Sequence, residues 1–321
     1  MKKVILFSVL FIGLSCYNSQ AQKIGIQTVF ERNFERGIIS RGDNIPDFRM
    51  KQDSMNFFLI ALHNEIPVIE FQKKSGFSNE KMEKIISFLE SKNWLHKING
   101  KYKPTIFIAS QEDGKALFEC AKPISNQIAK SIEKMLPTIK AKFNKTEISK
   151  KQSFNEWSFF ILSNVLLDNW QIFNVESKFL GANMRPLRHK KNYYASLKEA
   201  NKDKESFGIY GNLVGKTSAY GNNRYKINFP ETKYYLSLKD NKVLTEIATE
   251  YLPELLSILE QNRKYSEKIY KKLGYSNEIT FEEFFMWWYH FIYTQATDIM
   301  NTNQLLKVPE GGNFIYQIEY N

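Results

Sequence analysis

From Phe281 to Tyr293 the chain reads FEEFFMWWYHFIY, and the helical pattern extends from Thr280 to Met300. A helix carrying aromatic residues on nearly every face has no polar side to turn to water, so it has to run through the middle of a core. That requirement sets the scale of the fold. With 321 residues, of which 43% are apolar and 15% aromatic, the chain can surround such a helix, and two domains sharing a continuous core are expected. Glu282 and Glu283 at its start read as exposed carboxylates favoured by the helix dipole. The same apolar and aromatic content excludes a disordered chain and a charged fraction of 25% is an ordinary surface, while two cysteines exclude a disulfide-stapled scaffold and no apolar run is long enough to span a bilayer.

Lys2 and Lys3 precede an apolar run from Val4 to Ser15 and a polar stretch ending in Ser19-Gln20-Ala21. A positive start, a short apolar segment and a small-x-small site in this order read as a secretory signal peptide over residues 1–21. Its removal takes away Lys2 and Lys3 and lowers the formal charge from +11 to +9. Lys, Asn, Ile, Phe and Tyr are all abundant while Gly is scarce, the profile of AT-rich coding, which raises the pI without any acidic partner. Cys16 directly follows the apolar run and offers a lipidation site, although Gly13 stands where such signals favour a branched apolar residue. The expected location is therefore exported: periplasmic, secreted, or membrane-anchored as a lipoprotein. Cys120, in a helical stretch, reads as a small buried apolar residue.

Residues 22–46 read as an N-terminal linker ending in the turn-rich Arg41-Gly42-Asp43-Asn44-Ile45-Pro46, and a boundary near residue 150 divides the rest into 47–150 and 151–321. In the first half, Met50 to Asn64 carries Met55, Phe58, Leu59 and Leu62 at helical spacing, and a short helix from Pro67 to Lys74 is broken by Gly76. Ser78 caps a third helix with the stripe Met82, Ile85, Ile86 and Leu89, and Asn99-Gly100 between two strand-like runs signals a hairpin. Gln111 to Phe143 reads as helix interrupted at Pro123 and Pro137, and Phe154 to Phe173 as core. In the second half, Tyr210-Gly211-Asn212 and Tyr220-Gly221-Asn222 read as turns in a small antiparallel sheet, Lys242 to Leu273 as helix broken at Pro253, and Phe314 to Tyr320 as a strand.

The order helix, short helix, Gly turn, helix, hairpin, with FQKKSGFSNEKMEKIISFLESKNWLHKINGKY at its centre, resembles the winged helix-turn-helix superfamily of bacterial regulators over about residues 47–125, most closely from Phe57 to Ile108. The resemblance implies a recognition surface of Ser78, Asn79, Lys81, Lys84 and Ser87 on the third helix, with wing lysines Lys97, Lys101 and Lys103. Glu80, Glu83 and Glu90 share that helix and no arginine does, so its surface is charge-mixed. The expected fold class is α+β, mostly helical: a winged-helix-like domain followed by a helical domain with a small antiparallel sheet.

Catalytic chemistry is sparse. Gly211 to Thr217 has one residue too few between its glycines for a Walker A loop, and His63, His96, His189 and His290 have no second ligand at metal spacing. No catalytic, metal or cofactor residues are assigned. The basic cluster Arg185, Arg188, His189, Lys190 and Lys191 reads as a solvated loop able to face an anionic polymer or membrane surface. The expected function is a non-enzymatic binding or interaction module of the cell envelope, meeting a protein or an anionic envelope polymer, with the second half supplying a ligand or partner surface. One alternative is a DNA-binding regulator, if the N-terminus is no export signal. Another is an envelope hydrolase, which two carboxylates facing each other across an aromatic cleft would favour.

Overall fold

The computed structural model describes residues 23–182, 184–200, 206–224, 227 and 231–319, so the signal segment 1–21 and Cys16 lie outside the described residues. The fold is α+β and mostly helical, with small sheets. It begins with α1 (Ile26–Glu31) and β1 (Phe34–Ile39), continues through α2 (Met55–His63), α3 (Val68–Ser75) and α4 (Asn79–Ser91), and turns back in a hairpin of β2 (Leu95–Ile98) and β3 (Lys101–Pro104). Local chemistry sets these boundaries. Helix α2 starts later than Met50 because Asp53 and Ser54 take positive φ values of 51° and 55°. Pro67 occupies the N-cap of α3, and Gly76 ends that helix at φ 70°. The Lys81 amide donates to Ser78 Oγ at 3.2 Å to cap α4. Asn99 and Gly100, at φ 50° and 79°, form the two-residue turn that pairs Ile98 with Lys101.

Beyond the hairpin come β4 (Phe107–Ala109), α5 (Gln111–Phe143) and α6 (Phe154–Phe159), which widens into a π-helical segment over Phe160–Val165. Next are β5 (Leu187–Arg188), β6 (Lys191–Asn192), β7 (Tyr194–Glu199), β8 (Gly211–Leu213), β9 (Ser218–Gly221) and β10 (Tyr235–Leu236). The chain closes with α7 (Leu238–Gln261), α8 (Arg263–Lys272), α9 (Phe281–Thr302) and β11 (Asn313–Ile318). Contrary to the sequence reading, Pro123 and Pro137 do not interrupt α5, and the break expected at Pro253 falls at Asn262. An internal proline costs about 3 kcal/mol by freeing a carbonyl and crowding the preceding turn. Here tertiary contacts outweigh that cost. Tyr265 Oη donates to Cys120 O at 2.8 Å and Gln295 Nε2 to Phe118 O at 3.1 Å, on either side of the carbonyl that Pro123 frees.

Helix α9 is the central one. From Glu283 to Tyr293 every residue except the partly exposed His290 is buried. It lies along α5, where Trp288 Nε1 donates to Leu117 O at 3.0 Å and Ser125 Oγ to Ile292 O at 2.9 Å. The strands form a sheet of order β1–β7–β4 and another of order β10–β11–β9–β8, with β2–β3 and β5–β6 as separate pairs, so the strands of the 181–240 region are spread over three sheets. The Tyr-Gly-Asn triplets lie at strand ends: Gly211 and Asn212 begin β8, Tyr220 and Gly221 close β9, and Gly211 pairs with Gly221. A Cβ on Gly221 would lie 2.2 Å from Gly312 O, so only glycine lets β9 come this close to the turn before β11.

Successive side chains on a strand point to opposite faces, and β7 uses both. Ala195 and Leu197 enter the core of the early helices with Phe58, Phe71, Leu89 and Trp94, whereas Tyr194 enters the larger core around α9. The buried face of α5, which the sequence reading attaches to the winged half, belongs to that larger core. Buried charge joins the two. His63, at the end of α2, donates from Nδ1 to Glu278 Oε2 at 2.7 Å and holds Nε2 3.4 Å from Asp113 Oδ2. Arg188 Nη2 meets Glu283 Oε2 at 2.7 Å, and its Nη1 donates to Tyr193 O at 2.6 Å. With 1% exposure Glu283 is not the solvated dipole carboxylate that its sequence position suggests, while Glu282 stays partly exposed.

Candidate functional site

The face of β7 turned away from the early helices carries Lys198, and its neighbour β1 carries Glu35 and Gly37. Across from them stand Trp287 and His290 of α9, one helical turn apart, and between lie the 168–173 segment, β8 and Arg224. These elements enclose a cavity of about 510 Å³, within the size range of small-molecule sites. Gly37 matters to its shape, since a Cβ there would sit 2.9 Å from the Trp287 ring and 2.5 Å from Ser196 Oγ. On the opposite wall the helix widens: the Asp168 amide donates to Ser163 O, five residues back, at 3.1 Å. Asn212 then gathers the polar residues of that wall, donating from Nδ2 to Asn164 Oδ1 at 2.8 Å and to Asp168 Oδ2 at 2.9 Å.

Four cationic side chains line the cavity, Arg41, Arg185, Lys198 and Arg224, against two carboxylates, Glu35 and Asp168, while Arg36, opposite Leu197 in the register, turns to the other face of the sheet. Arg224 Nη1 donates to Gly221 O at 3.1 Å, and Lys198 Nζ lies 5.1 Å from the Trp287 ring centroid. Arg185 grips Glu176 through Nε at 2.6 Å and Nη2 at 2.8 Å, while its buried Nη1 has no acceptor among the described residues. Trp287 Nε1 is likewise buried without an acceptor among the described residues. Burial pushes the Asp168 carboxyl up to about 7, against the opposing pull of Tyr293, Arg224 and Asn212. His290 is held down to about 3 by burial and by Lys198, so it is neutral; its Nδ1 donates to Met286 O at 2.8 Å, which leaves Nε2 as an acceptor. At the rim Phe173 is 50% exposed and Val214 65%, and the Arg41 guanidinium stacks 3.6 Å from the Phe173 ring centroid.

Compared with protein-family models, with curated proteins and with solved structures, the chain matches none. The reading of the site therefore rests on its own geometry. Among the described residues no group of His, Cys, Asp and Glu could hold a metal ion, and no helix is long and apolar enough to cross a membrane.

Of the residues singled out from sequence, Ser78, Asn79, Lys84, Ser87, Lys97 and Lys101 are exposed, with Lys81 and Lys103 half-buried. Acids neutralise part of this face. Lys81 pairs with Asp53, Lys84 with Glu80 at 2.5 Å, and Lys103 with Glu65 at 3.7 Å. The basic patch does not exist as a surface: Arg185 and Arg188 are buried on Glu176 and Glu283, leaving Lys190 exposed and Lys191 half-buried. Burying two guanidiniums is possible here only because each meets a buried carboxylate. The cavity residues Arg41, Asp168, Lys198 and Arg224 carry no motif. One signal was present, because Ser163, Asn164 and Asp168 interrupt an otherwise apolar run, and polar residues inside a buried helix mark a network.

Proposed function

We propose that this chain is an exported, non-enzymatic binding protein of the cell envelope, which holds a small anionic ligand in the cavity between β1, β7, β8 and α9, the second half supplying every wall but β1 and the turn after it. One observation carries the ligand class: four cationic side chains, with the acceptor-less donors of Arg185 and Trp287 among them, line a single small-molecule-sized cavity with two carboxylates. Calorimetric titration with citrate is expected to give saturable binding that weakens with salt, and Lys198→Met is expected to weaken it by about tenfold. Equal affinity in Lys198→Met, or no binding by the parent, overturns this reading.

Export is supported by Lys2, Lys3, the Val4 to Ser15 run and the Ser19-Gln20-Ala21 site. A mature protein starting at Gln22 in periplasm or medium is the expected result of cell fractionation and N-terminal sequencing, and an acylated Cys16 would make it an anchored lipoprotein. An intact Met1 in the cytosol rejects export and favours the DNA-binding alternative. In the exported protein the winged-helix-like module, through Ser78, Asn79, Lys81, Lys84, Ser87, Lys97, Lys101 and Lys103, serves as a docking face for a protein or anionic envelope polymer. The acids beside Lys81, Lys84 and Lys103 favour a charge-mixed protein partner over a phosphate backbone.

A second reading, an envelope hydrolase, is favoured by one feature: Glu35 and Asp168 both line the cavity with Trp287 and Phe173. A protonated Asp168 could give its proton to a leaving oxygen. Release of free sugar from a bound glycoside would replace the binding reading with this one.

A further inference from the structure

We propose that the anion taken by this cavity is an acidic sugar unit, a pyranose bearing a carboxylate; this rests on the anion-binding reading above and narrows it. The argument begins with what a simple anion leaves unused. Sulfate or a simple carboxylate such as acetate offers acceptors alone, and the cations together with the Trp287 and Arg185 N–H groups would satisfy those. Yet acceptors stand among these donors. His290 presents Nε2 because its Nδ1 is committed to Met286 O, and the Asp168 carboxyl, held by Asn212, faces the same space. A ligand that brings hydroxyl groups as well as negative charge uses these acceptors and the donors beside them alike.

The aromatic groups fit the same ligand. Phe173 stays half-exposed at the mouth, with the Arg41 guanidinium 3.6 Å from its ring centroid on one face. An aromatic ring backed in this way offers its other face to the apolar C–H side of a pyranose, while the polar cavity floor takes the hydroxyls. Arg224 brings a guanidinium of the kind that pairs with a carboxylate, Arg185 keeps Nη1 for an acceptor while Nε and Nη2 hold Glu176, and Lys198 adds a point charge. The mouth at Phe173 and Val214 is open enough for the sugar to arrive either free or as the end of a polymer.

The test is a set of titrations on the mature protein, followed by calorimetry and by Trp fluorescence, using glucuronate, glucose, acetate and inorganic phosphate. Glucuronate is expected to bind at least about tenfold more tightly than each of the other three. Phe173→Ala is expected to weaken glucuronate by about tenfold while leaving acetate unchanged, which a general loss of folding would not do. If acetate or phosphate binds as tightly as glucuronate, the sugar assignment fails and the anion reading stands. If glucose binds as tightly as glucuronate, charge is irrelevant and the assignment fails. If none binds, the sugar assignment fails, and the anion reading fails with it when citrate does not bind either. A glucuronate-ended oligosaccharide that matches the monosaccharide points to a polymer end as the source, and binding of the monosaccharide alone points to the free sugar; either result supports the assignment.

Discussion

A His63→Ala variant is expected to be less stable than the parent at pH 7 by about 3–5 kcal/mol, the usual cost of removing one partner from a buried ion pair. The imidazole lies between Glu278 Oε2 at 2.7 Å and Asp113 Oδ2 at 3.4 Å, and all three side chains are buried. Without the ring, two buried carboxylates from different parts of the chain face each other with no cation between them. Urea denaturation at constant m would read the loss as a lower midpoint. The pH dependence identifies the cause. Burial alone would lower the His63 pKa, but Glu278 and Asp113 outweigh it and raise it to about 9. A group whose folded pKa lies above its ordinary value stabilises fully below that ordinary value and loses its contribution as pH rises through the folded one. The parent is therefore expected to lose stability between about pH 6.5 and 9, by up to about 3 kcal/mol, and His63→Ala to lack this slope. The same slope in both proteins would remove His63 as its source.

The contrast between what the sequence made legible and what it did not follows the reach of each interaction. The aromatic run of α9, the Ser78 cap and the Asn99-Gly100 hairpin depend on neighbours within a turn or two, and all three stand where the sequence places them. Prolines 123, 137 and 253 also act locally, yet the helices run through them, and at Pro123 the freed carbonyl is flanked by contacts such as Tyr265 to Cys120, 145 residues apart. The cavity was illegible for the same reason. Its residues run from Glu35 to His290 and meet because β7 pairs with β1 in one sheet, a register that no periodicity encodes. Alternation along β7 records that one face is apolar; it does not say what the Lys198 face will meet.

The clearest case of distant polar pairing yields the other large effect. Arg188→Met is expected to destabilise by about 3–5 kcal/mol, because Glu283 would be left at 1% exposure without its cation. Burial already pushes the Glu283 carboxyl above its usual range, with Arg188 and the Ala195 amide opposing it. Taking Arg188 away lifts it further, so the variant should escape part of its cost by protonating Glu283. A carboxyl with a raised folded pKa favours the folded state at low pH and loses that advantage as pH rises, so the gap between variant and parent should narrow towards acid. The double variant Arg188→Met/Glu283→Met should recover much of the loss by removing the stranded charge. It should not recover all of it, since Arg188 also donates to Tyr193 O and Thr105 O, and buried carbonyls left without donors cost about 1–3 kcal/mol. Thermal and urea unfolding of the four proteins form a double-mutant cycle. A coupling near zero would mean that the Arg188 and Glu283 charges do not depend on each other, and the basic cluster would revert to the solvated loop its sequence suggests.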